Sequence, residues 1–278
     1  MALKVHLVCI DDQNDFTNPN GALYVKGADE NVKRIARMIE RLKDKLSDIT
    51  LTMDSHHKVD ISHPMWFVDN NGNPPAPFTN VSLDGDQIVF VDLAGNKTPA
   101  HTRKLGAQER TVKYLKALAA SKRYPHTIWP EHCLIGDEGH NIAPVISAAV
   151  HGWEEKRYAM SEVLTKGSNP WTEHFSAVKA EVPDPNDPST QINQNFVQAA
   201  MNCDIMLWVG EALSHCLANT FRDTVENFPD PSFYGKMVIL TDATSPVDFP
   251  VFHQYADAFL RDMKAKGVKT STTTDILA

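Results

Sequence analysis

Cysteine is scarce in this sequence and never paired. Four cysteines in 278 residues, at positions 9, 133, 203 and 216, show no CxxC spacing. That excludes a disulfide framework and predicts reduced thiols, as in a cytoplasmic protein. No apolar run approaches the roughly 20 residues a membrane span needs. Positive charge is short as well. Lys and Arg number 27 against 35 Asp and Glu, a net charge of −8, which argues against nucleic acid or an anionic membrane as partner. The opening MALKVHLVCIDDQNDF meets acidic residues too early for a signal peptide. No internal repeat is visible. Apolar material is ample: hydrophobic residues make up 42% of the chain, enough for a single large α/β domain over residues 1–278.

Strand-like and helix-like patterns alternate. KVHLVCI, DITLTM, RYAMSEVLTK, DIMLWVG and KMVILTDA read as strands. Val32, Ile35, Met38, Ile39, Leu42 and Leu46 form a helical stripe, and helical spacing recurs at about 191–203, 214–228 and 252–266. The alternation predicts a mainly parallel sheet with helices on both faces, a three-layer αβα fold. Residues 69–104 break the rhythm. They are rich in Pro, Gly and Asn, and DGD between apolar runs predicts a hairpin, so the stretch reads as an insertion. VPDPNDPST, at 182–190, reads as a surface loop.

A parallel sheet binds ligands outside the carboxyl ends of its strands. Asp11 follows the first strand, Asp54 and His56 the second, Lys166 the third and Cys216 the fourth. Cys216 falls where a strand hands over to a helix whose stripe is Leu217, Phe221, Val225 and Phe228. A thiol near neutral pH is mostly protonated and needs help to attack. A helix N-terminus favours thiolate. Asp11 can take the proton and deliver it to a leaving amine, while Lys166 holds that carboxylate. Backbone N–H groups at the turn can bind an oxyanion. The set predicts amide hydrolysis through a thioester.

Asp54 and His56, at i, i+2, point to one side of an extended segment. With His132 of WPEHC and His63 of DISHP, they offer donors suited to a borderline divalent ion such as Zn, Fe or Mn. Taken singly, each residue has a plainer reading: the cysteine as packing, Asp11 as a cap, Lys166 as a solvated loop lysine, DxH as a common pair. Cys9 and Cys203 read as packing. His57, His140 and His215 read as surface or supporting residues, and Asp60 as a loop charge.

Together the blocks carry a family resemblance. IDDQNDFTNPNGAL resembles VDxQNDF…GGAL, TMDSHH resembles TxDxHP, and WPEHCLIGDEG resembles WPxHCxxGTPG. VLTKG with HFSAV resembles xxxKG with YSAF, GEALSHCLANTFRDTVE resembles GxATDxCVxxTAxDAxxxG, and VILTDATS resembles VxxDAxxg. The chain thus resembles the isochorismatase-like cysteine hydrolases, and among them the nicotinamidases. The resemblance implies Cys216 as nucleophile, Asp11 as general base and Lys166 as third triad member. It implies Asp54, His56 and His132 as metal ligands, with water completing the shell. His63 falls one position from a further family histidine. Phe16 and Trp129 fall where the family sandwiches the pyridine ring, and Glu211 and Ala212 where a cis peptide shapes the oxyanion hole. Relatives that cleave isochorismate or carbamoyl amides lack the metal motif, so its presence points to nicotinamide as substrate, for NAD salvage. The sequence departs from the family at Asp12, at IGDEG, at Ser214 and over 69–104, where a lid or a contact between copies of the chain is open. The competing readings are another small-amide hydrolase and a catalytically silent relative that binds a ligand.

Overall fold

A computed structural model describes residues 3–228 and 230–278. In chain order the elements are β1 (Val5–Ile10), α1 (Asn14–Thr17), α2 (Ala28–Leu42), β2 (Leu46–Asp54), β3 (Phe67–Asp69), β4 (Asn80–Asp84), β5 (Gln87–Val91), β6 (Lys97–Thr102), α3 (Gln108–Ser121), β7 (His126–Thr127), α4 (Pro144–Arg157), β8 (Glu162–Lys166), α5 (Gln194–Met201), β9 (Ile205–Gly210), α6 (Cys216–Glu226), β10 (Met237–Leu240), α7 (Pro250–Ala265) and β11 (Lys269–Ser271). Six strands form one sheet in the order β11-β10-β9-β1-β2-β8, parallel at every pairing.

The two-residue period of a strand decides what lies on each face. Along β1, Val5, Leu7 and Cys9 join the core under α2 and α4, whose Ile35, Ile39, Ile146 and Trp153 meet them. Val8 and Ile10 join the opposite core, built with Phe196 of α5, Leu217 and Phe221 of α6, and Phe252 and Phe259 of α7. β9 divides the same way, with Leu207 and Val209 on one side and Met206 and Trp208 on the other. The result is the expected αβα arrangement. Phe221 is fully buried, so Phe221→Ala would cost about 3–5 kcal/mol.

The second sheet is antiparallel, in the order β3-β6-β5-β4-β7. Its apolar face, with Phe67, Val81, Ile88 and Phe90, packs on Tyr114, Leu115 and Leu118 of α3. The stretch 69–104 supplies β4, β5 and β6. The hairpin at DGD is present, with Asp84 paired to Gln87 across Gly85 and Asp86. The edge strands β3 and β7 come from either side of that stretch.

Some boundaries differ from the sequence patterns. Leu46 opens β2 instead of closing α2, because the chain turns through Lys43–Lys45. The third parallel strand starts only at Glu162, since α4 runs to Arg157 and Tyr158 caps it in a left-handed conformation. Helices α3 and α4 lie where no helix was expected.

Candidate active site

β1, β2, β8 and β9 end side by side, and the polar residues that follow them meet. Regular alternation would send residue 11 to the same face as Cys9. Asp11 instead leaves the strand with φ 48°, a left-handed conformation that Asp tolerates. Its carboxylate lies 2.9 Å from Lys166 Nζ and accepts a hydrogen bond from Thr52 Oγ1. Lys166 Nζ is also 3.6 Å from Cys216 Sγ. Asp11, Asp54 and Cys216 each present an atom within 4.8 Å of the other two. The structure therefore brings Asp11, Lys166 and Cys216 together in a buried cluster. Two glycines make room for it. A Cβ at Gly167 (φ +86°) would press on the Asp54 carboxylate and the His56 ring, and one at Gly210 (φ +100°) would strike the Ile10 backbone.

Burial governs the protons here. It pushes the Cys216 thiol well above its usual range; Lys166 draws it down, but Asp11 and Asp54 push the same way as burial. Burial thus favours the thiol over the thiolate, and the proton is there for Asp11 to take. Burial also raises the Asp11 carboxyl, with Lys166 pulling it back. A carboxylate so placed suits a group that takes and returns a proton. Burial acts against the Lys166 ammonium, but Asp11 and Asp54 outweigh it and keep the charge.

Beside this cluster stand three imidazoles. His56, His63 and His132 present ring nitrogens within 4.8 Å of one another. Asp54 Oδ2 is 3.2 Å from His56 Nε2 and 3.4 Å from His132 Nε2. Each ring has its Nδ1 facing an outward acceptor: Asp60 Oδ2 for His56, the Lys58 carbonyl for His63 and the Pro130 carbonyl for His132. Nδ1–H donation outward leaves the Nε2 lone pairs pointing inward, the orientation that second partners give metal-binding histidines. His63 Nε2 is buried without a partner, and burial with the neighbouring His132 and His56 lowers its pKa to about 3. Three inward lone pairs and one carboxylate fit a divalent cation.

A narrow apolar cleft opens onto both groups. Phe16, Trp129, Phe175, Ala212, His215, Cys216 and Val247 line it, with Asp54, His132 and Glu173 at its polar end. Phe16 and Trp129 both belong to its wall. The Glu211–Ala212 peptide bond is cis. Ala212 lines the cleft, whereas the Glu211 carboxyl bonds to Asn31 and the Ser245 backbone and forms no part of the wall.

Several side chains have other places than expected. Asp60 is no loop charge; it is fully buried and bonds His56 and Ser62. His215 is buried among Trp129, Phe175 and Phe252. His140 is partly buried and meets Ser55 Oγ at 2.8 Å. Residues passed over earlier brace the site. Gln13 ties the end of β1 to that of β2 through the Asp54 backbone. Asp15 holds the Cys133 N–H at 2.6 Å and so fixes the His132 loop. Glu173 accepts the Trp129 indole N–H at 3.1 Å, and burial raises its pKa to about 7. The DxQND block contained Gln13 and Asp15, but Glu173 had no signal beyond preceding HFSAV.

No family model matches the sequence, and no curated protein matches it. Solved structures do match in fold. A nicotinamidase–pyrazinamidase from Acinetobacter baumanii superposes with TM-score 0.63 at 22% identity, over 99% of this chain and 98% of that one. A pyrazinamidase from Pyrococcus horikoshii, solved in complex with zinc, gives 0.54 at 16% identity, over 97% and 99%. An isochorismatase family protein from Desulfovibrio vulgaris gives 0.53 at 17% identity, over 98% and 95%. The chain has the isochorismatase-like hydrolase fold. Among the described residues, no helix is long and apolar enough to cross a membrane.

Proposed function

We propose that this chain hydrolyses a small aromatic carboxamide, nicotinamide above all, to the carboxylic acid and ammonia. The observation that carries the reading is one cleft lined by the Cys216 thiol, by Asp54 and His132 of the metal donors and by two aromatic walls, with the Asp11–Lys166 pair set directly against that thiol. Asp11 accepts the Cys216 proton as sulfur attacks the amide carbon. The oxyanion meets backbone N–H groups at the turn into α6, where the first helical N–H groups have no partner within the helix. The C–N bond breaks as Asp11 returns the proton to nitrogen, and ammonia leaves a thioester on Cys216. Water, deprotonated by Asp11, then attacks the thioester and frees the acid and the thiol. Lys166 keeps Asp11 oriented throughout. Phe16 and Trp129 hold the ring, with offset stacking contributing about 1 kcal/mol per face.

Asp54, His56, His63 and His132 would hold the ion, of Zn, Fe or Mn character. Bound there, it supplies a Lewis acid for a ring nitrogen. The same superfold hosts other chemistry, so the substrate needs a direct test. Ammonia release is compared between nicotinamide and benzamide, which shares the ring shape but lacks the nitrogen. Nicotinamide should turn over far faster. Equal rates would mean that the ion does not read the ring. Turnover of neither, with hydrolysis of an aliphatic amide, would move the substrate class while leaving the thioester route. Product acid of this kind serves NAD salvage.

A further inference from the structure

Glu211 occupies an unusual position for a carboxyl group. It lies immediately after β9 and five residues before the nucleophile, yet it is fully buried and outside the cleft. Asn31 Nδ2, on α2, donates to Oε1 at 2.6 Å, and the Ser245 N–H, after β10, donates to Oε2 at 2.9 Å. Asn31 is itself held, for Arg34 donates to its Oδ1 at 2.7 Å while bonding the Asp242 carbonyl at 2.6 Å. A run of polar contacts therefore joins α2 and the loop after β10 to one side chain beside the reactive turn.

The backbone around it continues the brace. The Glu211 N–H donates to the Ile10 carbonyl at 2.6 Å, directly before Asp11, and the Leu213 N–H donates to the Ser245 carbonyl at 2.9 Å. The Ala212 carbonyl accepts from the N–H groups of His215 and Leu217 at 3.0 and 3.1 Å, which closes the turn that presents Cys216. Burial holds the Glu211 carboxyl well above the ordinary range, against the pull of its bonds to Asn31 and Ser245.

Building on the proposed function, we propose that Glu211 is a positioning residue. Its carboxyl, clamped between Asn31 and Ser245, sets the turn that carries Ala212 and Cys216 against Asp11. The chemical step needs that register, because the sulfur, the base and the oxyanion donors must all meet one carbon. A displacement on the order of 1 Å costs roughly 100-fold in rate. Substrate binding draws on Phe16, Trp129 and the metal donors, which the brace does not touch.

The test uses the metal-loaded full chain, as wild type and as Glu211→Ala, Glu211→Gln and Asn31→Ala. Steady-state turnover of nicotinamide is measured alongside the rate at which iodoacetamide labels Cys216, a reaction that needs no oxyanion donors. Glu211→Ala and Asn31→Ala should lower kcat roughly 100-fold, with KM and the labelling rate unchanged. Glu211→Gln keeps an acceptor for one of the two donors, Asn31 or Ser245, and should lose less kcat than Glu211→Ala. Should Glu211→Ala not fold, Asn31→Ala gives the same reading from outside the cleft. An unchanged kcat in the foldable alanine variant overturns the proposal. So does a loss of kcat matched by higher KM and slower labelling, which would mark general loosening. A wild type that labels at Cys216 but hydrolyses no amide would instead sink the proposed function, and this role with it.

Discussion

Lys166 Nζ stands 3.1 Å from Asp54 Oδ1, so one ammonium links the proton-carrying carboxylate to the carboxylate of the metal donors. All three groups are buried. Removing one partner of a buried ion pair leaves an uncompensated charge, typically at 3–5 kcal/mol. In Lys166→Met, two carboxylates would face each other with no cation between them. A divalent ion would offset more of that repulsion than it does in the wild type. We expect Lys166→Met to melt well below wild type in chelator, and Zn to raise its Tm by a larger increment. Equal increments in the two proteins would show that Lys166 and the metal donors are not coupled.

Cys216→Ala should abolish ammonia release, by roughly 10⁴-fold or more, and leave the fold standing. The residue faces the cleft, whereas Cys9 and Cys133 sit in the core. Limiting alkylation followed by peptide mapping should place the label on Cys216. Its rate at neutral pH should be modest, because burial keeps the group a thiol. Rapid labelling below neutral pH would contradict that account.

Protein purified without chelator should carry about one equivalent of divalent metal, by analogy with single-ion hydrolytic sites. Asp60 acts on it through His56, whose Nδ1 it meets at 3.2 Å. Asp60→Asn should weaken metal retention roughly 10–100-fold, as loss of such outer partners does. Dialysis against graded chelator with elemental analysis measures it, and an unchanged affinity would remove Asp60 from the site.

The parts of this architecture that rest on period were legible in the sequence. The β-branched runs of β1, β9 and β10 and the α6 stripe announced themselves, and DGD marked its hairpin. Helix α4 escaped because three of its four buried positions, Ile146, Ala149 and Val150 beside Trp153, are small or β-branched. Helix α3 escaped because its stripe of Tyr114, Leu115 and Leu118 is short and set among Lys, Arg and Glu. The burial of the Asp60, Glu173 and Glu211 carboxyls was illegible for another reason. A carboxylate's burial depends on partners brought by folding, here an imidazole, an indole and an amide, and no local pattern records them.

Glu181 gives a pH signature independent of the metal donors. Burial, only partly offset by Arg123, raises its pKa from 4.5 to about 8. A carboxyl whose folded pKa exceeds its unfolded one supports the fold while protonated. That support is full below about pH 4.5 and disappears as pH rises through about 8. Tm should therefore decline between about pH 5 and 9, and Glu181→Gln, which cannot ionise, should decline less. Parallel profiles for the two proteins would show that the group does not stay protonated in the fold.

The antiparallel sheet begins just after His63 and ends just before His132. Those two imidazoles bracket the whole excursion of the chain that builds it. An ion shared between them would act as a crosslink that closes a long loop, removing conformational freedom from the unfolded chain as a covalent bridge does. Metal uptake and the folding of this sheet then become one equilibrium. Substitutions in the hydrophobic face of β5 or at Leu115 and Leu118 of α3, none of which lines the cleft, would surface as altered metal affinity, and chelation would loosen this lobe before the parallel sheet.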